Sequence, residues 1–116
     1  MVERVTIDTI LGYLQECVEN KVPIGADTWL DGAQKLLALL GNETDQLAEL
    51  QQDVANIKLE QILSGATAAK SKIVAEASEE FKQAQRQKAR IERIQEMIRI
   101  AKLQSRMRTE EMRAYG

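Results

Sequence analysis

ARIERIQEMIRIAKLQSRMR, residues 89–108, returns isoleucine every three or four positions and fills many of the gaps with arginine or lysine. That period is helical. At 100° per residue, Ala77, Ala84, Ile91, Ile98 and Ser105 recur every seven residues. Ile73, Ile94 and Ala101 fill the matching row, which Glu80 and Gln87 interrupt. Between Ile91 and Ala101 the pattern predicts a coiled-coil seam of about two heptads. A second apolar row, Met97, Ile100, Leu103 and Met107, starts later. The two rows together cover roughly two thirds of the helix circumference, and a helix that apolar is buried on two sides. The expected solution is a bundle of three or more helices, with Ile91, Ile94, Met97, Ile98, Ile100, Ala101, Leu103 and Met107 as the oligomer interface.

Working outward, no glycine or proline stands between Thr67 and Arg113. A helix over that stretch would be about 70 Å long at ~1.5 Å per residue, against about 25–30 Å for a globule of this size. The long helix is therefore expected to overhang a compact monomer and to need other chains around it. Opposite its apolar rows lies a narrow polar stripe of Lys88, Gln95, Arg99, Lys102, Arg106 and Arg113. Lys88–Glu92, Arg106–Glu110 and Glu96–Arg99 stand at spacings that support a helix by a few tenths of a kcal/mol. The stripe has three readings: a solvated or interchain salt-bridge face, a track for phosphates of nucleic acid, or a dock for an acidic protein surface. Lys88, Arg99, Lys102, Arg106 and Arg113 are its candidate binding residues.

Toward the N-terminus, Thr6 is a plausible cap for a first helix over about 7–20, with Asp8 in its first turn and Ile7, Ile10, Leu11, Leu14, Cys17 and Val18 on one face. KVPIGAD (21–27) reads as a connector. Asp27 or Thr28 then caps a second helix, about 28–40, that Gly41 ends. Asn42 caps a third, running to Leu63. SGAT (64–67) is expected to be a tight helix–helix turn. The domains so read are a head of three helices over 1–63 and a long basic helix over 64–116. The fold class expected is all-α: short N-terminal helices, then a helical hairpin whose long C-terminal arm is coiled-coil-like, assembled as an oligomeric bundle.

Composition agrees with helices. The chain has 116 residues, of which 44% are hydrophobic but only Tyr13, Trp29, Phe81 and Tyr115 are aromatic, and Pro23 is the sole proline. The core must be aliphatic, whereas β-rich domains use more aromatic and β-branched residues. The net charge of −2 hides an asymmetry: residues 1–81 hold 6 Lys/Arg and 14 Asp/Glu, residues 82–116 hold 10 and 4. A basic segment with an acidic partner follows, whether nucleic acid, another protein, or the acidic half of a neighbouring copy. MVERVTIDTI at the start carries charges where a secretory leader needs an apolar run, and the longest apolar run, LLALL (36–40), is far below the roughly 20 residues of a membrane span. With one cysteine there is no intrachain disulfide. A cytoplasmic protein is expected, with no membrane partner.

Catalytic chemistry has little to stand on. There is no histidine, and Cys17 sits on an apolar helical face, so no standard nucleophile–base pair can be assembled. The glycines are scattered singly, without a phosphate loop, and the pairs Glu79-Glu80 and Glu110-Glu111 diverge by about 100° on a helix. No enzyme activity, cofactor, metal or small-molecule substrate is expected. Trp29, just after the VPIGAD turn, is either a core anchor joining the first two helices or an exposed hot spot for a partner.

PIGADTWL (23–30), the SGAT turn, EASEEF (76–81) and IERIQEMIRIAKLQ (91–104) form a helical head, a turn and an Arg/Lys-rich helix. In that order they resemble small helical proteins encoded by tailed bacteriophages. The resemblance covers most of the chain and implies a phage context, host cytoplasm or virion, with no catalytic role and no residue to carry over. Two functions are then expected as alternatives. One is an oligomeric interaction protein whose basic helix engages nucleic acid or a nucleoprotein, as a recombination accessory or host-defence inhibitor. The other is a virion or assembly component, scaffold- or connector-associated, that docks on an acidic protein surface.

Overall fold

A computed structural model of the chain describes residues 6–115, and these are helical throughout apart from turns. Four helices follow in order: α1 Ile7–Glu19, α2 Ala26–Leu63, α3 Ala68–Glu76 and α4 Glu79–Tyr115. The protein is all-α. The chain divides into two compact units, one made of the residues through Gly41 with those from Glu92 onward, the other of Asn42–Ile91.

The helix boundaries follow local chemistry. Thr6 caps α1, its hydroxyl accepting from the Thr9 N–H at 3.2 Å. α1 ends with Lys21 at φ +51°, where the Val22 N–H reaches back to the Cys17 carbonyl and the Lys21 N–H to that of Val18. The SGAT turn forms as expected and repeats the same ending. Gly65 takes φ +93°, its N–H donates to Ile62 O, and the Ala66 N–H donates to Gln61 O. Thr67 then caps α3.

Two boundaries differ from the sequence reading. Gly41 does not stop a helix: α2 runs unbroken from Ala26 to Leu63. A glycine in a helix interior costs about 1 kcal/mol relative to alanine, a small term beside the packing of Leu36 on one side of it and Leu47, Leu50 and Val54 on the other. The head of three helices is therefore two, and α2 begins at Ala26 because the Gly25 carbonyl already accepts from Thr28 and Trp29. Conversely, the stretch after Thr67 does break. Ala77 and Ser78 leave the helix, and Ser78 caps α4 by accepting from the Phe81 N–H at 3.2 Å, with Glu79 and Glu80 in the positive first turn. Ser-Glu-Glu is an N-terminal signature that apolar periodicity alone passes over.

Gly41 also yields a test. A Cβ there would meet nothing within 4 Å. Gly41→Ala is expected to raise stability by about 1 kcal/mol in a urea melt, the gain of a helix-interior position. A helix-ending glycine would give the opposite sign.

In the first unit α1, the start of α2 and the end of α4 share one core. It holds Ile7, Ile10, Leu14 and Cys17; then Trp29, Ala33 and Leu36; then Ile94, Met97, Ile98 and Ala101. The α1 residues are spaced three or four apart, so one stripe of that helix is covered. Gly32 lets α1 approach α2 closely, since a Cβ there would lie 3.0 Å from a Leu14 methyl. In the second unit α2 and α4 run antiparallel. Glu43 meets Gln87 and Arg90, while Leu47 and Val54 line a depression with Phe81 and Ala84. Glu43, Leu47, Leu50, Val54, Ile57 and Gln61 alternate by four and three along the covered side of α2, a heptad pattern. Ser71 and Ala75 of α3 are buried there too.

Candidate docking surface

The residues expected to hold subunits together fall into two groups. Ile91, Ile94, Met97, Ile98 and Ala101 are buried, Ile94 and Ala101 completely. Their partners are within the chain, and Ile100 is partly buried against the first unit's core. The overhang expected of a 47-residue helix does not arise for this segment, because α1 and α2 cover it. Leu103 and Met107 differ, standing 43% and 44% exposed. Trp29 is a core anchor, 2% exposed, with its indole N–H lacking a hydrogen-bond partner among the described residues.

The basic stripe is on the surface. Lys88 belongs to the second unit; Arg99, Lys102, Arg106 and Arg113 belong to the first, and all are exposed. Arg99, Lys102, Leu103 and Arg106 line a shallow depression of about 280 Å³. Of the three expected ion pairs only Glu96–Arg99 forms, with the guanidinium Nε 3.0 Å from Glu96 Oε2 and a second nitrogen on Oε1. That hydrogen bonding holds the Glu96 carboxyl below its ordinary range and the Arg99 guanidinium above its own. Acidification through the lowered Glu96 value would release Arg99. Arg108 pairs with Glu111 at 3.3 Å, a contact the stripe did not include. Lys88, Lys102, Arg106 and Arg113 have no ion pair or hydrogen bond among the described residues.

The surface of α4 from Arg99 onward is thus mixed. Three unneutralised cations and one bridged arginine lie within about 60° of each other, and Leu103 and Met107 border them on the next about 80°. Bare phosphates need cations alone; two half-exposed apolar side chains beside those cations fit a surface with something apolar to cover.

No family model, curated protein or solved structure matches the chain.

The polar cluster that the sequence reading missed lies in the second unit. Glu43 is 8% exposed. Its Oε2 accepts from Gln87 Nε2 at 2.6 Å and from Arg90 Nε at 3.0 Å, its Oε1 from Arg90 Nη2 at 3.3 Å, and its backbone carbonyl from Gln87 Nε2 at 2.9 Å. Gln87 looked like an interruption of an apolar row and Glu43 like a first-turn carboxylate. Their sequence separation of 44 hides the pairing, and the legible signal was only that a polar residue held a seam position on each helix. The cluster joins α2 to α4. A larger depression of about 500 Å³ lies between α1 and α4 in the first unit. Leu11, Met97 and Ile100 make its apolar part, and Asp8, Gln15, Arg93 and Glu96 its mixed-sign rim. Among the described residues no group of three or more Cys, Asp or Glu is placed to hold a metal ion, and no helix is long and apolar enough to cross a membrane.

Proposed function

We propose that this chain is a non-catalytic helical interaction protein that docks on an acidic protein surface through the C-terminal part of α4, as a phage-encoded assembly component would. The observation that carries the reading is the placement of Leu103 and Met107, each more than two fifths exposed, against the unneutralised Lys102 and Arg106. Cations steer a charged partner and set its orientation, and the apolar pair supplies area to bury. Nucleic acid is the weaker alternative. Arg99 is already bridged to Glu96, leaving Lys102, Arg106 and Arg113 on the face without an ion pair among the described residues, and no aromatic residue stands among them for base stacking.

Fluorescence anisotropy separates the two. The probes are a designed acidic amphipathic helix bearing leucines, a duplex DNA and a single strand, at about 50 and 200 mM salt. The acidic helix is expected to bind, and the change of Lys102→Glu with Arg106→Glu to abolish binding without altering the melt. Duplex binding through three cations would fall about 40-fold over that salt range. DNA binding of that kind, with none to the acidic helix, would transfer the function to nucleic acid.

A further inference from the structure

The second unit carries the counterpart of the α4 face. On α2, Asp45, Glu49, Asp53 and Glu60 fall within about 80° of one another, are exposed, and have no ion pair among the described residues. Over the adjoining about 100° lie Ala48, Ala55, Leu59, Ile62 and Leu63, all exposed, with Leu59 and Ile62 at 54% and 51%. One exposed leucine needs no explanation. A row at helical spacing, bordered by unneutralised carboxylates, marks a surface shaped for a partner.

We propose that this side of α2 receives the α4 face of a second copy of the chain. The inference rests on the docking reading above and names the acidic surface that reading requires. The two charged arcs are opposite in sign and similar in length. Four carboxylates spread over about 22 Å of α2 answer Lys102, Arg106 and Arg113, with the Glu96-bridged Arg99 at one end, over about 21 Å of α4. On each helix the charged arc is flanked by apolar side chains, Leu59 and Ile62 on one and Leu103 and Met107 on the other. Two α2 sides would set carboxylate against carboxylate, and two α4 faces cation against cation, which like-charge repulsion disfavours. The contact therefore joins unlike faces: two copies exchange them reciprocally in a two-fold dimer, or each copy offers one to the next in a ring or a chain.

The test uses two full-length variants, Lys102→Glu with Arg106→Glu, and Glu49→Lys with Asp53→Lys. All four positions are exposed, so thermal melts are expected to match wild type. In sedimentation equilibrium at low salt, wild type self-associates and each variant alone associates at least about tenfold more weakly. An equimolar mixture of the two regains wild-type association, because every contact again joins opposite charges. A chain carrying all four changes does the same, which also shows that no loss came from misfolding. Three results would overturn the inference: a wild-type monomer at all concentrations, undiminished association of the Glu49→Lys, Asp53→Lys variant, or a mixture that stays monomeric. If the designed acidic helix still binds wild type in any of these cases, the docking reading survives with another partner. If it does not, both fall.

Discussion

Ile94→Asp is expected to unfold the chain. Ile94 is fully buried among residues of α1, α2 and α4, and a carboxylate placed there has no partner. Losing the isoleucine and burying an unpaired charge each rank among the largest single-substitution effects. Their sum exceeds about 4 kcal/mol, a large share of the 5–15 kcal/mol that holds a domain together and nearly all of it at the low end. Circular dichroism is expected to show most helicity gone at 25 °C, while Ile94→Val costs only about 1 kcal/mol. The comparison that gives this result meaning is Leu103→Asp. Leu103 is 43% exposed, so that variant keeps its melt and loses association instead. Were Ile94 a contact between subunits, its aspartate variant would stay helical and merely dissociate.

The second large effect concerns Glu43. Arg90→Ala leaves this carboxylate, whose side chain is 10% exposed, with Gln87 but no guanidinium. Removing one partner of a buried pair costs 3–5 kcal/mol where burial is complete. Arg90 itself is 26% exposed, so solvent screens part of the interaction and about 2–3 kcal/mol is expected from urea denaturation. In a double-mutant cycle, Glu43→Ala should make the Arg90→Ala change much less costly, with a coupling above about 1 kcal/mol. Additive losses would mean the two side chains are independent. Beyond that energy, the cluster is expected to act on alignment. Glu43 and Gln87 occupy seam positions, and a polar contact there is expected to favour the antiparallel alignment of α2 with α4 that pairs them.

What could be read from the sequence, and what could not, divides along the same physical lines. Apolar periodicity marked α1, the end of α2 and the inward side of α4, because helical burial leaves a three-and-four spacing wherever it occurs. Thr6 and the SGAT turn were legible because caps and left-handed glycines are local chemistry. Gly41 misled because one residue's propensity competes with packing that the sequence does not display. Ser78 was passed over because apolar spacing continues across it, although its own hydroxyl and the two glutamates announce a helix start. The exposed cations of α4 were legible as a stripe. Periodicity identifies a greasy side without naming what covers it, so Ile94 and Leu103 looked alike, and only the fold separates a residue covered by α1 and α2 from one left open. The acidic side of α2 went unread because its carboxylates, four residues apart, look like ordinary solvated surface.

The first unit joins residues that precede Asn42 to residues that follow Ile91, while the second is the uninterrupted stretch Asn42–Ile91. On the ribosome that order becomes a schedule. At about 5–20 residues per second, some 3–10 s separate the appearance of Asn42 from that of Glu92. Throughout that interval α1 and the start of α2 lack Ile94, Met97, Ile98 and Ala101, the α4 residues that complete their core. During translation the apolar stripes of α1 and the start of α2 are therefore expected to stay uncovered until residues 92–101 arrive, which gives a holdase a surface to bind for that interval.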